Sequence, residues 1–176
     1  MTFQISKLRA FAIALCMMAT VSIQAQAPQM SVLIGQSLSK IQQDNPETFL
    51  NCVAEMKRID AMFPDSIQPK YQMALQSLNY AAMNPQAPQT EKLLAEAEQT
   101  INQIEKMQGA DLSDINPLRG FFYTVRIVQD PAANGQRYYM EVIDYYDQAL
   151  KQNPNNALAK QLQEKFMEGL HQATGR

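Results

Sequence analysis

The 176-residue chain has no tryptophan, one histidine, two cysteines and six glycines. Each scarcity excludes something. The histidine, His171, has no cysteine, aspartate or second histidine at ligand spacing, so metal binding and histidine-based catalysis lack their other members. It reads as a solvated residue at a helix end. Cys16 falls in an N-terminal apolar run, which leaves Cys52 alone and rules out an internal disulfide in the processed chain. With no histidine in reach, Cys52 reads as a small packed hydrophobe and not as a nucleophile. No block of basic residues occurs. Setting aside Lys7 and Arg9 leaves 13 basic residues against 17 acidic ones, a net charge of −4. That balance argues against a nucleic-acid surface. No stretch sustains period-two alternation of β-branched residues, so no strand is expected.

What is present begins with an export signal. Lys7 and Arg9 precede the apolar run from Ala10 to Ile23, and Ala25-Gln26-Ala27 offers small residues for cleavage. Residues 1–27 are therefore expected to be a signal peptide. The run of fourteen falls short of the roughly 20 residues that span a bilayer. Leu15 before Cys16 does not fit a lipidation site. After signal removal no stable membrane insertion is expected.

Abundant Ala, Gln, Leu, Met and Glu favour helix. Apolar residues at helical spacing predict seven helices. They cover Met30 to Gln43, Pro46 to Met62, Pro69 to Met83 and Thr90 to about Gln108. Three more start at Ser113 or Asp114, around Arg137, and at Asn156, the last running to His171. Asn45 is predicted to cap the second helix with Pro46 at its first position, and Thr90 to cap the fourth. Residues 84–89 and 129–136 read as proline-bearing loops, the latter with Asn134 or Gly135 in a left-handed conformation. The Asp130 to Gly135 stretch lacks the alternating Asp/Asn series of a calcium loop. Among carboxylates, Glu96 and Glu98 diverge on a helix. Asp144 with Asp147 and Glu164 with Glu168 share faces opposite the apolar stripe, which reads as solvated surface.

The stretch from Arg137 to Lys160 supplies a frame. Counting back five, eight and twelve residues from Pro154 gives Ala149, Tyr146 and Val142. The same count from Pro64 gives Ile59, Met56 and Cys52. Ala110 takes the proline's place in between, and one extra turn residue gives Ile104, Ile101 and Ala97. Ten residues after each anchor comes a small residue, Ala74 and then Gly120, but Glu164 after Pro154. This pattern resembles the tetratricopeptide repeat (TPR). The anchors lie 46 and 44 residues apart, against about 34 in that family. The excess is assigned to the two proline-bearing loops and slightly longer helices. More narrowly, Phe63-Pro64-Asp65 with Pro69-Lys70-Tyr71, Gly120-Phe121-Phe122-Tyr123 with Asp130-Pro131, and Gly135-Gln136-Arg137-Tyr138 resemble small secreted repeat proteins of Bacteroidota-type bacteria, which carry no assigned activity. Where that group usually has Arg-Gly before the last helix, this chain has Asn134-Gly135.

The resemblance implies an all-α fold, a short right-handed solenoid of about three TPR-like hairpins (30–63, 66–108, 113–153) with a cap over 156–171. The domain would span 28–172, with 173–176 frayed. It also implies a periplasmic or secreted location and a protein or peptide partner on the concave face. Inward positions counted from Ala74 and Gly120 are Gln68, Tyr71, Leu75, Leu78 and Asn79, then Asp114, Pro117, Phe121, Thr124 and Val125. The groove is assigned to Tyr71, Leu75, Asn79, Phe121 and Thr124. No catalytic residue, metal or cofactor is assigned, so the chain reads as a non-enzymatic scaffold. Two other readings stand beside it. One is an enzyme or small-molecule binder using a pocket among Phe121, Phe122, Tyr123, Tyr138, Tyr139, Tyr145 and Tyr146. The other is a self-associating envelope protein.

Overall fold

A few side chains that cap or interrupt backbone hydrogen bonding decide where helices begin and end. The computed structural model describes residues 29–174, with side chains to 172. The signal segment 1–27 and the terminal Gly175 and Arg176 lie outside the described residues. Among the described residues there are seven helices and no strand. They are α1 over residues 29–38, α2 (Pro46–Met62), α3 (Ile67–Met83), α4 (Thr90–Ile104), α5 (Leu112–Gln129), α6 (Pro131–Gln152) and α7 (Ala157–Thr174).

The chain divides into two units at residues 39 and 40. In the first, α1 ends at 38, five residues before the expected end at Gln43. Its last turn closes on the Ser39 hydroxyl, which donates to the Gln36 carbonyl at 2.9 Å. The second unit holds α2 to α7.

In that unit, Asn45 caps α2 by accepting from the Glu47 amide at 3.2 Å, with Pro46 at the first position. Asp130-Pro131 uses the same device. The Asp130 carboxylate accepts from the Ala133 amide at 3.0 Å and Pro131 opens α6. The expected loop over 129–136 is therefore wrong, because residues 131–136 are the first turns of a helix. Neither Asn134 nor Gly135 is left-handed. Among the described residues only Gly109 has positive φ, at 82°. Asn134 instead donates to the Arg126 carbonyl at 2.7 Å, closing the end of α5. The fourth helix is also shorter than expected. It ends at Ile104, and turns lead to Gly109, where a left-handed residue is required. Thr90 does not cap α4; its hydroxyl donates to the Asn84 carbonyl at 2.5 Å.

Helix α3 packs against α2 and α4, α5 packs along α6, and α5 also meets α3, α4 and α7. The largest apolar cluster joins α3, α4 and α5 through residues such as Leu78, Leu94, Ile101, Leu118 and Val125. All nine residues picked by the frame are buried, from Cys52, Met56 and Ile59 through Ala97, Ile101 and Ile104 to Val142, Tyr146 and Ala149. Ala74 is fully buried as well. Between α2 and α3, the Lys70 ammonium is only 2% exposed and donates to Asp60 and to the Pro64 carbonyl, each at 2.5 Å. That pair ties the Phe63-Pro64-Asp65 turn to the start of α3.

Two features set how α5 meets its neighbours. A Cβ on Gly120 would lie 2.5 Å from the ring of Tyr146, which is fully buried. Glycine is required there by close approach and not by backbone angle. The second is Pro117 inside α5. Lacking an amide hydrogen, it cannot bond the carbonyl four residues earlier, that of Ser113. Asn156 takes that carbonyl at 2.9 Å and reaches Asp114 at 3.1 Å. Its side-chain oxygen meanwhile caps α7 by accepting from Ala159 at 2.9 Å. One amide thus starts α7 and holds it to the first turn of α5. Asn156→Ala should remove the cap, worth about 1 kcal/mol, and leave a buried carbonyl unpaired, worth about 1–3 kcal/mol. A loss of about 2–4 kcal/mol in chemical denaturation is expected; a loss below about 0.5 kcal/mol would contradict this role.

Candidate functional site

Helices α3, α5 and α7 share a face because α5 lies beside both of the others. On that face a cavity of about 440 Å³ is lined by Leu75 and Asn79 from α3, Phe121 and Thr124 from α5, and Leu158 and Lys165 from α7, among others. Four of the five residues assigned to a groove from sequence therefore line one cavity. The fifth, Tyr71, lines a neighbouring cavity of about 320 Å³, one turn back along α3. Leu78 and Val125, counted as inward-facing, are fully buried, and Pro117 is buried too, so these belong to the core.

The contributions of α7 are not expected from sequence, where that helix reads only as a cap. The frame nevertheless holds the signal. Leu75 and Phe121 each follow the small residue by one position, and one position after Glu164 is Lys165. Gln68 and Asp114 precede it by six, and six before Glu164 is Leu158. Glu164 itself is exposed, so the missing small residue there costs no close approach. Phe49 and Gln43 at one end of the cavity had no such signal.

The polar groups are held firmly. The Thr124 hydroxyl donates to the Gly120 carbonyl at 2.9 Å and lies 3.2 Å from the Tyr146 hydroxyl. Burial pushes the Tyr146 phenol pKa up, offset in part by that Thr124 contact. Asn79 donates to Gln76 at 3.0 Å. In the smaller cavity, burial and then the nearby Asp114 push the Tyr71 phenol up to about 12, so it remains protonated. Burial and repulsion from Asp111 push the Asp114 carboxyl above its ordinary value, while the Asn156 hydrogen bond pulls the other way.

The tyrosines do not converge on one pocket. Tyr123 stacks on Tyr145 with centroids 5.9 Å apart and leans on Tyr138 at 4.9 Å. Tyr139 meets Phe166 and lines a third cavity with Ile127, Met140 and Met167. Asp144 and Asp147 are exposed and line none of these three cavities. Cys52 is buried in α2 and His171 is exposed. Among the described residues no cluster of three or more metal-ligating side chains exists, and no helix is long and apolar enough to cross a membrane. No protein-family model, curated protein or solved structure matches the chain.

Asp114 gives a pH test. A carboxyl with a raised folded-state pKa favours folding while protonated, and that contribution is lost as pH rises through the folded pKa. Asp114→Asn keeps the acceptor for Asn156. The stability of the variant relative to the parent should therefore rise between about pH 3 and about pH 7. A difference that is flat or falls with pH, measured by thermal melts, would contradict it.

Proposed function

We propose that the chain is an exported, non-enzymatic helical-repeat scaffold that holds a peptide segment of a partner protein on the face shared by α3, α5 and α7. In this reading α3 with α4 and α5 with α6 are TPR-like hairpins of a short right-handed solenoid, α7 closes it, and the shared face is concave. The N-terminal basic and apolar segment favours a periplasmic or secreted location. The observation that carries the reading is the gathering of Leu75, Asn79, Phe121 and Thr124 around one cavity. These residues come from two helices and were picked by their offset from Ala74 and Gly120. A cavity with an apolar floor and a few fixed polar groups suits an amphipathic or extended peptide.

The test uses the chain without residues 1–27, immobilised and exposed to an envelope fraction. Leu75→Gln with Asn79→Arg changes half-buried groove positions and spares the fully buried core. Folding is checked by melting, and partner recovery should drop about tenfold or more. Recovery equal to that of the parent would overturn the groove.

A further inference from the structure

The two cavities on the shared face differ in chemistry. The smaller one is lined by the half-buried Ile67 and Tyr71, by Ile104 and Ile115 of the core, and by the exposed Asp111 and Asp114. Among the described residues lining it these are the only charged side chains, and none is basic. The larger one is mainly apolar, with Leu75, Phe121, Leu158 and Leu162, and its charged group is Lys165. The two adjoin along α3 and α5, since Gln68 and Asp114 line the first while Leu75 and Phe121, seven residues on in each helix, line the second. Seven helical residues rise about 10.5 Å. A peptide in the extended polyproline II conformation returns to the same face every three residues and covers about 9 Å over them.

We propose that the partner segment is a basic-apolar peptide, with a lysine or arginine seated between Asp111 and Asp114 and a bulky aliphatic or aromatic residue three positions away seated against Leu75 and Phe121. The proposal rests on the groove reading above and adds the partner's chemistry and spacing.

A long basic side chain matches the smaller cavity in both its parts. Its methylene stem lies on Ile67 and the Tyr71 ring while its charged head reaches the carboxylates. Both carboxylates are fixed in position. Asp111 accepts from the Ser113 amide at 2.8 Å as the cap of α5, and Asp114 is fixed by Asn156 at 3.1 Å. Burial first, and then repulsion from Asp111, push the Asp114 carboxyl above its ordinary value. An incoming cation removes that repulsion, so charge complementarity favours a basic residue over an acidic one there. A negatively charged chain as a whole also attracts basic partners over acidic ones.

The test uses fluorescein-labelled twelve-residue peptides in Gly/Ser spacer, read by anisotropy. The first carries a lysine and, three positions later, a leucine; the second has glutamine for the lysine; the third has serine for the leucine. The parent chain should bind the lysine–leucine peptide about tenfold tighter than the glutamine version. Asp111→Asn with Asp114→Asn keeps the helix cap and should bring the two to parity. Equal binding of the lysine and glutamine peptides to the parent, or a preference that survives in the double variant, would overturn the basic anchor while leaving the apolar groove standing. Failure of all three peptides to bind, or no loss on replacing the leucine, would overturn the groove reading with it.

Discussion

The ring of Tyr146 against the bare backbone of Gly120 sets the relation of α5 to α6. With no Cβ in the way, the ring passes close under α5, is fully buried, and delivers its hydroxyl to Thr124 one turn further along the same face. The same side chain therefore belongs to the α6–α7 core with Val142 and Phe166 and to the wall of the larger cavity. Close packing leaves interiors little room to absorb an added methyl group. A shift of α6 outward would move Tyr146, Thr124 and the seat of α7 together.

Asn156 completes that arrangement from the other end. Proline in a helix interior costs a hydrogen bond, and here the orphaned Ser113 carbonyl becomes the anchor for the next helix. The cost of Pro117 is offset by a contact that fixes register between α5 and α7. The face they share with α3 then has a defined width, which is what a groove of fixed specificity requires. The acidic and apolar cavities follow along it because Asp114 and Phe121 lie two turns apart on one helix.

Much of this was legible in the chain. Helical periodicity gave the element types, and the count from Pro64, Ala110 and Pro154 picked nine residues that are buried. It also picked Gly120, whose reason is steric and visible only once Tyr146 is placed. The misreading of residues 129–136 has a physical cause. Asp130-Pro131 reads as a loop signal, while Asn45-Pro46 reads as a cap and first position. Proline and a preceding Asp or Asn serve both purposes, and only tertiary packing chooses between them. The part of α7 in the cavity is hidden in the sequence because Glu164 breaks the small-residue rule that marks Leu158 and Lys165 on either side of it. The bond between Asn156 and Ser113 links residues 43 apart, and no local pattern announces it.

The central claim is that Gly120 is present for the Tyr146 ring, and a double-mutant cycle tests it most directly. In the parent, Gly120→Ala should destabilise by up to about 2 kcal/mol, because overpacking of about 1–3 kcal/mol outweighs the helix-propensity gain of about 1 kcal/mol. In a Tyr146→Leu background the ring is gone, and the same alanine should be neutral or stabilising by up to about 1 kcal/mol. An alanine that stabilises the parent, or that costs the same in both backgrounds, would contradict the account.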